Sequence, residues 1–280
     1  MIEGQFSRTA LSAAGFRAAH QTVDGAFLFA DPLAAPILGA DLGELLPRCG
    51  DPVLRPLRVF VALRSRIAED VARRAVEEGA RQIVVLGAGL DTFAYRIAAR
   101  PDLRVFEVDH PATQAEKRRR LAAAGLTPPP HVRYAPCDFE RQALSDALRD
   151  AGFDAAARAA FQWLGVTPYL TREAVETTLA YVGALAGGAD IVFDYANPPH
   201  SIDSPGHRLF HERMAERVAA LGDPFRSHFE TDDLHRLLRG LGFAGVQDWG
   251  PREIAARLAP GGPTPPQNGG HIVHAYFRAG

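Results

Sequence analysis

The sequence predicts an α/β fold in which parallel strands are joined by helical crossovers. From residue 82 onward, short β-branched or apolar runs alternate with segments of helical period. The first run, Gln82-Ile83-Val84-Val85-Leu86, opens directly into Gly87-Ala88-Gly89, as a buried strand does when it feeds a tight turn. The chain has 280 residues, 47% hydrophobic and 23% charged, enough for one large core or a core with a smaller appendage.

Taken in order, residues 7–39 read as two helices. Ser7-Arg8-Thr9-Ala10 offers a cap to the first, and Asp31-Pro32 starts the second with proline where helices tolerate it. A Gly/Pro-rich joint follows at 39–56. From Arg58 to Glu78, Phe60, Leu63, Ile67, Val71 and Ala75 recur at helical spacing, and Gly79 stands where a C-cap belongs. After the strand at 82–86, helix is expected at 91–100, strand at 103–108, helix at 110–124 and strand at 131–136. Helices at 140–150 and 171–186 separate strands at 159–165 and 189–195. Helices at 204–222 and 231–241 then precede closing strands at 243–249 and 271–278, with a Pro/Gly-rich loop at 250–270.

Thirty-one basic residues face 33 acidic ones, a formal charge of -2, which argues against a nucleic-acid partner or an anionic membrane surface and favours a small-molecule ligand. Cys49 and Cys137 are too few and too far apart for a thiolate cluster, and fit a reducing compartment. Met1 to Ala10 lacks a basic region followed by an apolar run, and no stretch approaches the ~20 apolar residues that cross a bilayer. A cytoplasmic protein is expected. Whether it forms a homodimer stays open.

A glycine turn after the first strand lets backbone approach a ligand closely, and an acidic residue closing the next strand is the usual partner of ribose hydroxyls. Asp109 follows Gly87 by 22 residues, as that pairing requires. A dinucleotide site wants a third glycine where Thr92 stands, which disfavours a nicotinamide dehydrogenase, and no Gly-Lys-Ser/Thr follows to make a P-loop. What remains is a nucleoside cofactor without pyrophosphate, and S-adenosyl-L-methionine fits. Asp138 and Phe139, closing the third strand, are then placed for its adenine amino group and ring.

Several stretches carry a family resemblance: Ser7-Arg8-Thr9-Ala10, Arg17-Ala18-Ala19-His20, Asp31-Pro32-Leu33-Ala34, Arg64-Ser65-Arg66, Val85-Leu86-Gly87-Ala88-Gly89-Leu90-Asp91-Thr92, Phe106-Glu107-Val108-Asp109 and Gly165-Val166-Thr167-Pro168-Tyr169-Leu170-Thr171. Over most of residues 7–195 the chain resembles the leucine carboxyl methyltransferase superfamily, including its bacterial polyketide and actinobacterial O-methyltransferase branches. The resemblance implies a Rossmann-like class I methyltransferase: a seven-stranded, mostly parallel sheet, six strands parallel and one antiparallel, with helices on both faces and an N-terminal helical lid. It divides the chain into a cap over 1–79 and a core over 80–280, with an acceptor-side helical insertion around 198–242. By the same resemblance Arg64 holds the methionine carboxylate, Gly87, Ala88 and Gly89 line the cofactor, Asp109 binds the ribose, and Asp138 and Phe139 meet the adenine. Leu164 departs from the Glu that several relatives carry there, so that Gln162 or backbone carbonyls take its place at the cofactor's amino group.

The implied reaction is O-methylation, of a small-molecule carboxylate first. The alternatives are a phenolic or alcoholic hydroxyl, a nitrogen, or a scaffold that binds the cofactor without turning it over. A carboxylate needs orienting donors, whereas a hydroxyl needs a base near pKa 7. His20 suits either task or a purely structural one, and Tyr169 and Tyr195 stand near strand ends where ligand crevices form. Arg8 reads as an exposed cap-region residue that could also reach the site from the lid. His207 and His211, four apart on a helix, lack an identifiable third metal ligand, so no metal is expected. Lys117-Arg118-Arg119-Arg120 reads as a solvated helix face.

Overall fold

A computed structural model describes residues 6–258, 260–262 and 264–279. The first five residues of the leader reading, and residues 259 and 263 of the expected 250–270 loop, lie outside them. Seven strands form one sheet: β1 (Gln82–Leu86), β2 (Arg104–Asp109), β3 (Val132–Pro136), β4 (Ala159–Trp163), β5 (Gly188–Ala196), β6 (Gly245–Trp249) and β7 (Gly270–Arg278). Their order is β3-β2-β1-β4-β5-β7-β6. Strands β1 to β5 pair in parallel, and β7 runs antiparallel to both β5 and β6, so six strands share one direction.

Every residue of β1, β4 and β5 is buried, which explains their unbroken apolar runs. Alternate side chains serve opposite layers. Ile83, Val85 and Val105 pack against Ala72, Ala75 and Val76 of α3 (Arg55–Glu77). Val84, Leu86, Phe106, Phe161 and Phe193 pack with Leu148 of α6 (Leu144–Asp150), Leu179 of α7 (Arg172–Gly183) and Leu234 of α9 (Thr231–Gly240). Gly79, at φ +105°, ends the α3 stretch where the sequence places its cap. The chain leaves β1 toward β2 and β3, then returns to β4 on the other side. The reversal opens a crevice at the carboxyl ends of β1 and β4.

Several elements differ from expectation. After α1 (Arg8–Thr22) there is no second long helix at Asp31; residues 31–35 form a turn and Pro36–Asp41 a 3-10 segment. Asp31 is fully engaged there as a buried acceptor, with Oδ1 also taking the Leu33 N–H at 3.2 Å, which holds the chain in a turn. The expected joint at 39–56 contains α2 (Leu42–Gly50) despite Pro47, because Leu45 and Cys49 lie one turn apart and bury together. A Cβ at Gly15 of α1 would come within 2.9 Å of Cys49 Sγ, so α1 and α2 meet at that glycine. The helix expected at 91–100 is one turn, α4 (Phe93–Arg96), and α10 (Pro251–Leu258) lies inside the expected 250–270 loop.

The basic run on α5 (Pro111–Ala123) is solvated at Arg118 and Arg119 but not at its two ends. Lys117 is buried with Nζ 2.7 Å from Glu107 Oε1, and Arg120 bonds Asp41 at 2.6 Å and the Leu38 carbonyl at 3.0 Å. Burial raises the Glu107 carboxyl above its usual range, against the pull of the Lys117 ammonium. Among the described residues, no helix is long and apolar enough to cross a membrane.

A second buried network joins α1, the turn at 31–35, the loop after β1 and α3. Arg17 bonds Asp31 at 3.1 Å and the Leu90 carbonyl at 2.5 Å. Thr92 Oγ1 donates to Asp31 Oδ1 at 2.7 Å, Arg96 Nε lies 3.2 Å from the same oxygen, and Arg96 also pairs with Glu69. Replacing Asp31 with Ala leaves two cations without this acceptor. We expect Asp31→Ala to cost about 3–5 kcal/mol, read as a lower urea midpoint at unchanged slope; a loss below about 1 kcal/mol would mean that the network does not anchor the loop.

Candidate active site

The site begins where β1 ends. Gly87 and Gly89 both have positive φ, +63° and +43°, a region other residues rarely enter. A Cβ on Gly87 would overlap Val166 Cγ2, and one on Gly89 would lie 3.1 Å from Ala10 Cβ on α1. The two glycines thus admit the loop after β4 on one side and the N-terminal helix on the other. Ala88 N donates to the Val108 carbonyl at 3.1 Å, tying the loop to β2.

At the end of β2, Asp109 Oδ2 accepts from Gly89 N at 2.5 Å and Oδ1 from His110 N at 2.7 Å. Burial raises its carboxyl above the usual range, although both N–H groups pull the other way. Asp138 and Phe139 follow β3 on the same wall, with Asp138 Oδ1 taking the Glu140 N–H at 3.0 Å. Gln162 on β4 points its amide toward α3, 3.4 Å from the Ala68 carbonyl, and Leu164 joins the apolar cluster of Leu63, Ile67 and Ile272. Neither side chain supplies a free carboxylate. A carboxylate, partnered on both oxygens, stands nearby in Asp194 of β5, whose Oδ1 accepts from Gly165 N at 2.6 Å and whose Oδ2 pairs with Arg64 Nη1 at 2.8 Å. A Cβ on Gly165 would lie 2.6 Å from Arg64 Nη2, so this glycine makes room for the guanidinium.

The glycine loop, Asp109, Asp138, Phe139, Gln162, Leu164, Asp194 and Arg64 line one cavity of about 980 Å³, large enough for a drug-sized ligand, with space to spare. Its far wall is apolar, with Phe16, Leu57, Phe60, Phe210, Met214 and Phe225. Thr9 Oγ1 donates to Asp223 Oδ2 at 2.9 Å, joining α1 to the loop after α8 (Pro205–Ala220) across the cavity. Tyr169 lines the cavity, and its hydroxyl has no hydrogen-bond partner among the described residues. Burial raises the pKa of that hydroxyl, so it stays protonated at neutral pH.

His20 does not line the cavity. It is fully buried, with Nδ1 3.1 Å from Asp24 Oδ2 and Nε2 3.4 Å from Leu28 N, and its ring packs on Phe27. Asp24 in turn binds Arg58 at 2.7 and 3.0 Å, so His20 braces α1 against α3 and has no reach to an acceptor. Tyr195 lines the cavity, but its hydroxyl turns away to Thr231 and Asp248, each at 2.9 Å. Arg8 is exposed on α1. His207 and His211 both line the cavity. His207 Nδ1 is 2.9 Å from Ser204 Oγ, and His211 packs on Phe225 and His228. Burial lowers the His211 pKa, and so does His228 beside it. Among the described residues no three metal-ligating side chains gather.

Sequence reasoning stopped at Tyr195 and passed over its neighbour Asp194. The signal was available: alternate strand residues face opposite ways, so a tyrosine directed to one layer leaves the preceding carboxylate directed to the other.

With this geometry in view, the leucine carboxyl methyltransferase family model matches residues 10–183. The chain belongs to that family. A Bacillus subtilis relative, provisionally named an S-adenosyl-L-methionine-dependent methyltransferase, is 31% identical over 91% of each chain. A Mycobacterium tuberculosis protein with the same provisional name is 37% identical over 59% of this chain and 55% of its own. The crystal structure of a Thermobifida fusca protein, provisionally titled a methyltransferase, superposes with TM-score 0.61 at 18% identity, covering 99% and 97% of the two chains. The leucine carboxyl methyltransferase fold is therefore the one observed: a Rossmann-like, seven-stranded, mostly parallel sheet with helices.

For this family member, the contact between Gly87 and Val166 gives a direct test. Gly87→Ala forces a side chain into both an unfavourable φ and an occupied space, at about 2–4 kcal/mol. Adding Val166→Ala relieves only the overlap, so the double variant is expected to recover part of the lost thermal midpoint. Equal midpoints in the single and double variants would show that Val166 is not what excludes a side chain at Gly87.

Proposed function

We propose that this leucine carboxyl methyltransferase family member methylates a carboxylate oxygen of a small molecule inside the 980 Å³ cavity. The methyl donor is S-adenosyl-L-methionine, which supplies a methyl group already activated by its sulfonium. The residues present suit it. Asp109 offers a carboxylate to the ribose hydroxyls, and Phe139 and Asp138 stand for the adenine ring and its amino group. Gly87, Ala88 and Gly89 supply a close backbone wall. Arg64 and Asp194, paired at 2.8 Å, present a cation and an anion together, the complement of an amino-acid tail. In this reading Asp194 takes the part that the resemblance gave to a Glu at the Leu164 position, and Gln162 is a brace toward α3.

The observation that carries the carboxylate reading is Tyr169. Tyr169 lines the cavity, and its hydroxyl has no hydrogen-bond partner among the described residues, is held protonated by burial, and lies within the fields of Arg64 and Asp194. A carboxylate is already anionic at neutral pH, so attack on the methyl group needs no base. It needs a donor that fixes one oxygen while the other stays free, together with exclusion of water. Tyr169 supplies the donor. The apolar wall and the Thr9–Asp223 bond close the acceptor half, where we place the contribution of the 1–79 cap and the 198–242 helical insertion.

One observation favours a second reading, a hydroxyl acceptor. His211 lines the cavity, and its lowered pKa leaves it neutral and able to accept a proton at pH 7.

Calorimetric titration with S-adenosylhomocysteine is expected to show binding to the wild type and at least a tenfold loss for Asp109→Ala. Turnover of a panel of carboxylic acids with methyl-labelled cofactor should give products that mild base hydrolyses, as esters do. Tyr169→Phe should lower kcat about 10- to 100-fold, the worth of one hydrogen bond to a charged group, and leave homocysteine-product affinity unchanged. A base-stable methylated product whose formation stops in His211→Asn would establish the hydroxyl reading instead.

A further inference from the structure

The cavity's arginines fall into two groups. Arg17, Arg64, Arg141 and Arg226 each have a carboxylate partner, in Asp31, Asp194, Asp138 and Glu140. Arg48 and Arg217 line the same cavity with their charge largely unspent. The nearest carboxylate to Arg48 is Glu44, 4.0 Å away and 81% exposed, a separation and setting that contribute little. Arg48 Nη2 instead donates to the neutral Ser12 Oγ at 3.2 Å, and its Nε is buried near the neutral Cys49 thiol with no hydrogen-bond partner among the described residues. Arg217 has no ion-pair partner among the described residues. Arg48, Arg217 and the buried Cys49 all line this one cavity, and the charges of both arginines, with that of Arg58 behind them, act on the Cys49 thiol.

That neighbourhood is separate from the cofactor wall. On α1, Ala10 meets Gly89, whereas Thr9, Ser12 and Phe16 follow one another at intervals of three and four along a different stripe of the helix. Thr9 joins Asp223 and Ser12 joins Arg48, so this stripe faces α2 and the loop after α8. Arg48 sits in the last turn of α2, where a cation is favoured by the helix dipole. That placement explains the charge but not a buried, unpartnered Nε, since a buried donor left unpaired is costly.

We propose that Arg48, Arg217 and Ser12 form a receptor for a second anionic group of the acceptor, distant from the group that is methylated. The acceptor class is then an amphipathic dianion: an apolar body against Phe16, Leu57 and Phe210, one carboxylate at the transfer point and a second anion at Arg48 and Arg217. The inference rests on the proposed function of the cavity, and it selects among acids that the cavity could otherwise accept alike.

The test uses the full chain saturated with S-adenosylhomocysteine. Linear dicarboxylates of six to twelve carbons are titrated calorimetrically beside the monocarboxylates of equal length. The wild type is expected to bind at least one dicarboxylate tenfold or more tightly than its monocarboxylate. Arg217→Gln, at an exposed position with no ion-pair partner among the described residues, should remove that preference, as should Arg48→Gln. Arg48→Lys should retain part of it, and all three variants should bind S-adenosylhomocysteine as the wild type does. No dicarboxylate preference at any length, or a preference that survives in the Arg48→Gln/Arg217→Gln double variant, would overturn the proposal. Ester formation is measured separately on the same acids. Methylation without a dianion preference sinks this inference alone, whereas a dianion preference with no ester from any acid keeps the anion receptor and sinks the carboxylate reading.

Discussion

The glycine loop after β1 is held from beneath by charge. Arg17, Asp31, Thr92, Arg96 and Glu69 form one buried network that reaches from α1 through the turn at 31–35 to the loop and then to α3. Such networks add little net stability, because removing each ion from water costs nearly what pairing returns. Their effect is geometric: a network that tolerates no missing member fixes its parts relative to one another. Here the fixed part is the stretch 89–92, on which Asp109, through its bond from Gly89 N, depends in turn. Lys117 braces the other side of the loop, with Nζ 3.5 Å from the Ala88 carbonyl while it pairs with Glu107.

The network also accounts for Thr92. A dinucleotide fold places a glycine at that position so that its helix can pack closely on the strand. In this chain the threonine hydroxyl donates to Asp31 and accepts from Arg96, so the loop is stabilised by the N-terminal segment in place of close helix packing. The following helix accordingly shrinks to the single turn of α4. A residue that reads in sequence only as a missing glycine is therefore a positive feature of a different arrangement.

What the sequence made legible was local. Strands β1 to β5 and the long α3 announce themselves by period and by β-branched runs, and Gly87, Gly89 and Asp109 sit at strand ends that those runs define. What it concealed depends on contacts far apart in the chain. Asp31 looked like a helix start because Asp-Pro usually is one; its burial against Arg17 and Arg96 cannot be read from its neighbours. His20 looked available for chemistry because nothing local reveals the Asp24–Arg58 pair that occupies it. Pro47 and two glycines disguised α2, whose stability comes from Leu45 and Cys49 against α1 rather than from propensity. Lys117 and Arg120 of α5 looked solvated, as Arg118 and Arg119 between them are, because their partners lie on β2 and in the 36–41 segment.

These long-range contacts divide the cavity's labour between its walls. The strand ends carry the groups suited to a cofactor, and each is fixed by sheet register or by a backbone N–H: Asp109 by Gly89 and His110, Asp194 by Gly165. The opposite wall comes from α1, α2 and α8, and side-chain contacts such as Thr9 to Asp223 and Ser12 to Arg48 join its helices. Backbone contacts survive most substitutions, whereas side-chain contacts change with a single residue. An enzyme built this way can alter its acceptor through α2 and α8 while the cofactor wall stays in place. Tyr169 belongs to neither wall: it follows β4 on the short loop between Gly165 and α7, beside the Arg64–Asp194 pair and in contact with Phe225 of the acceptor side. A side chain at that junction touches both halves of the cavity, so a substitution on the α2 or α8 side can reshape one half while the strand-end groups stay in place.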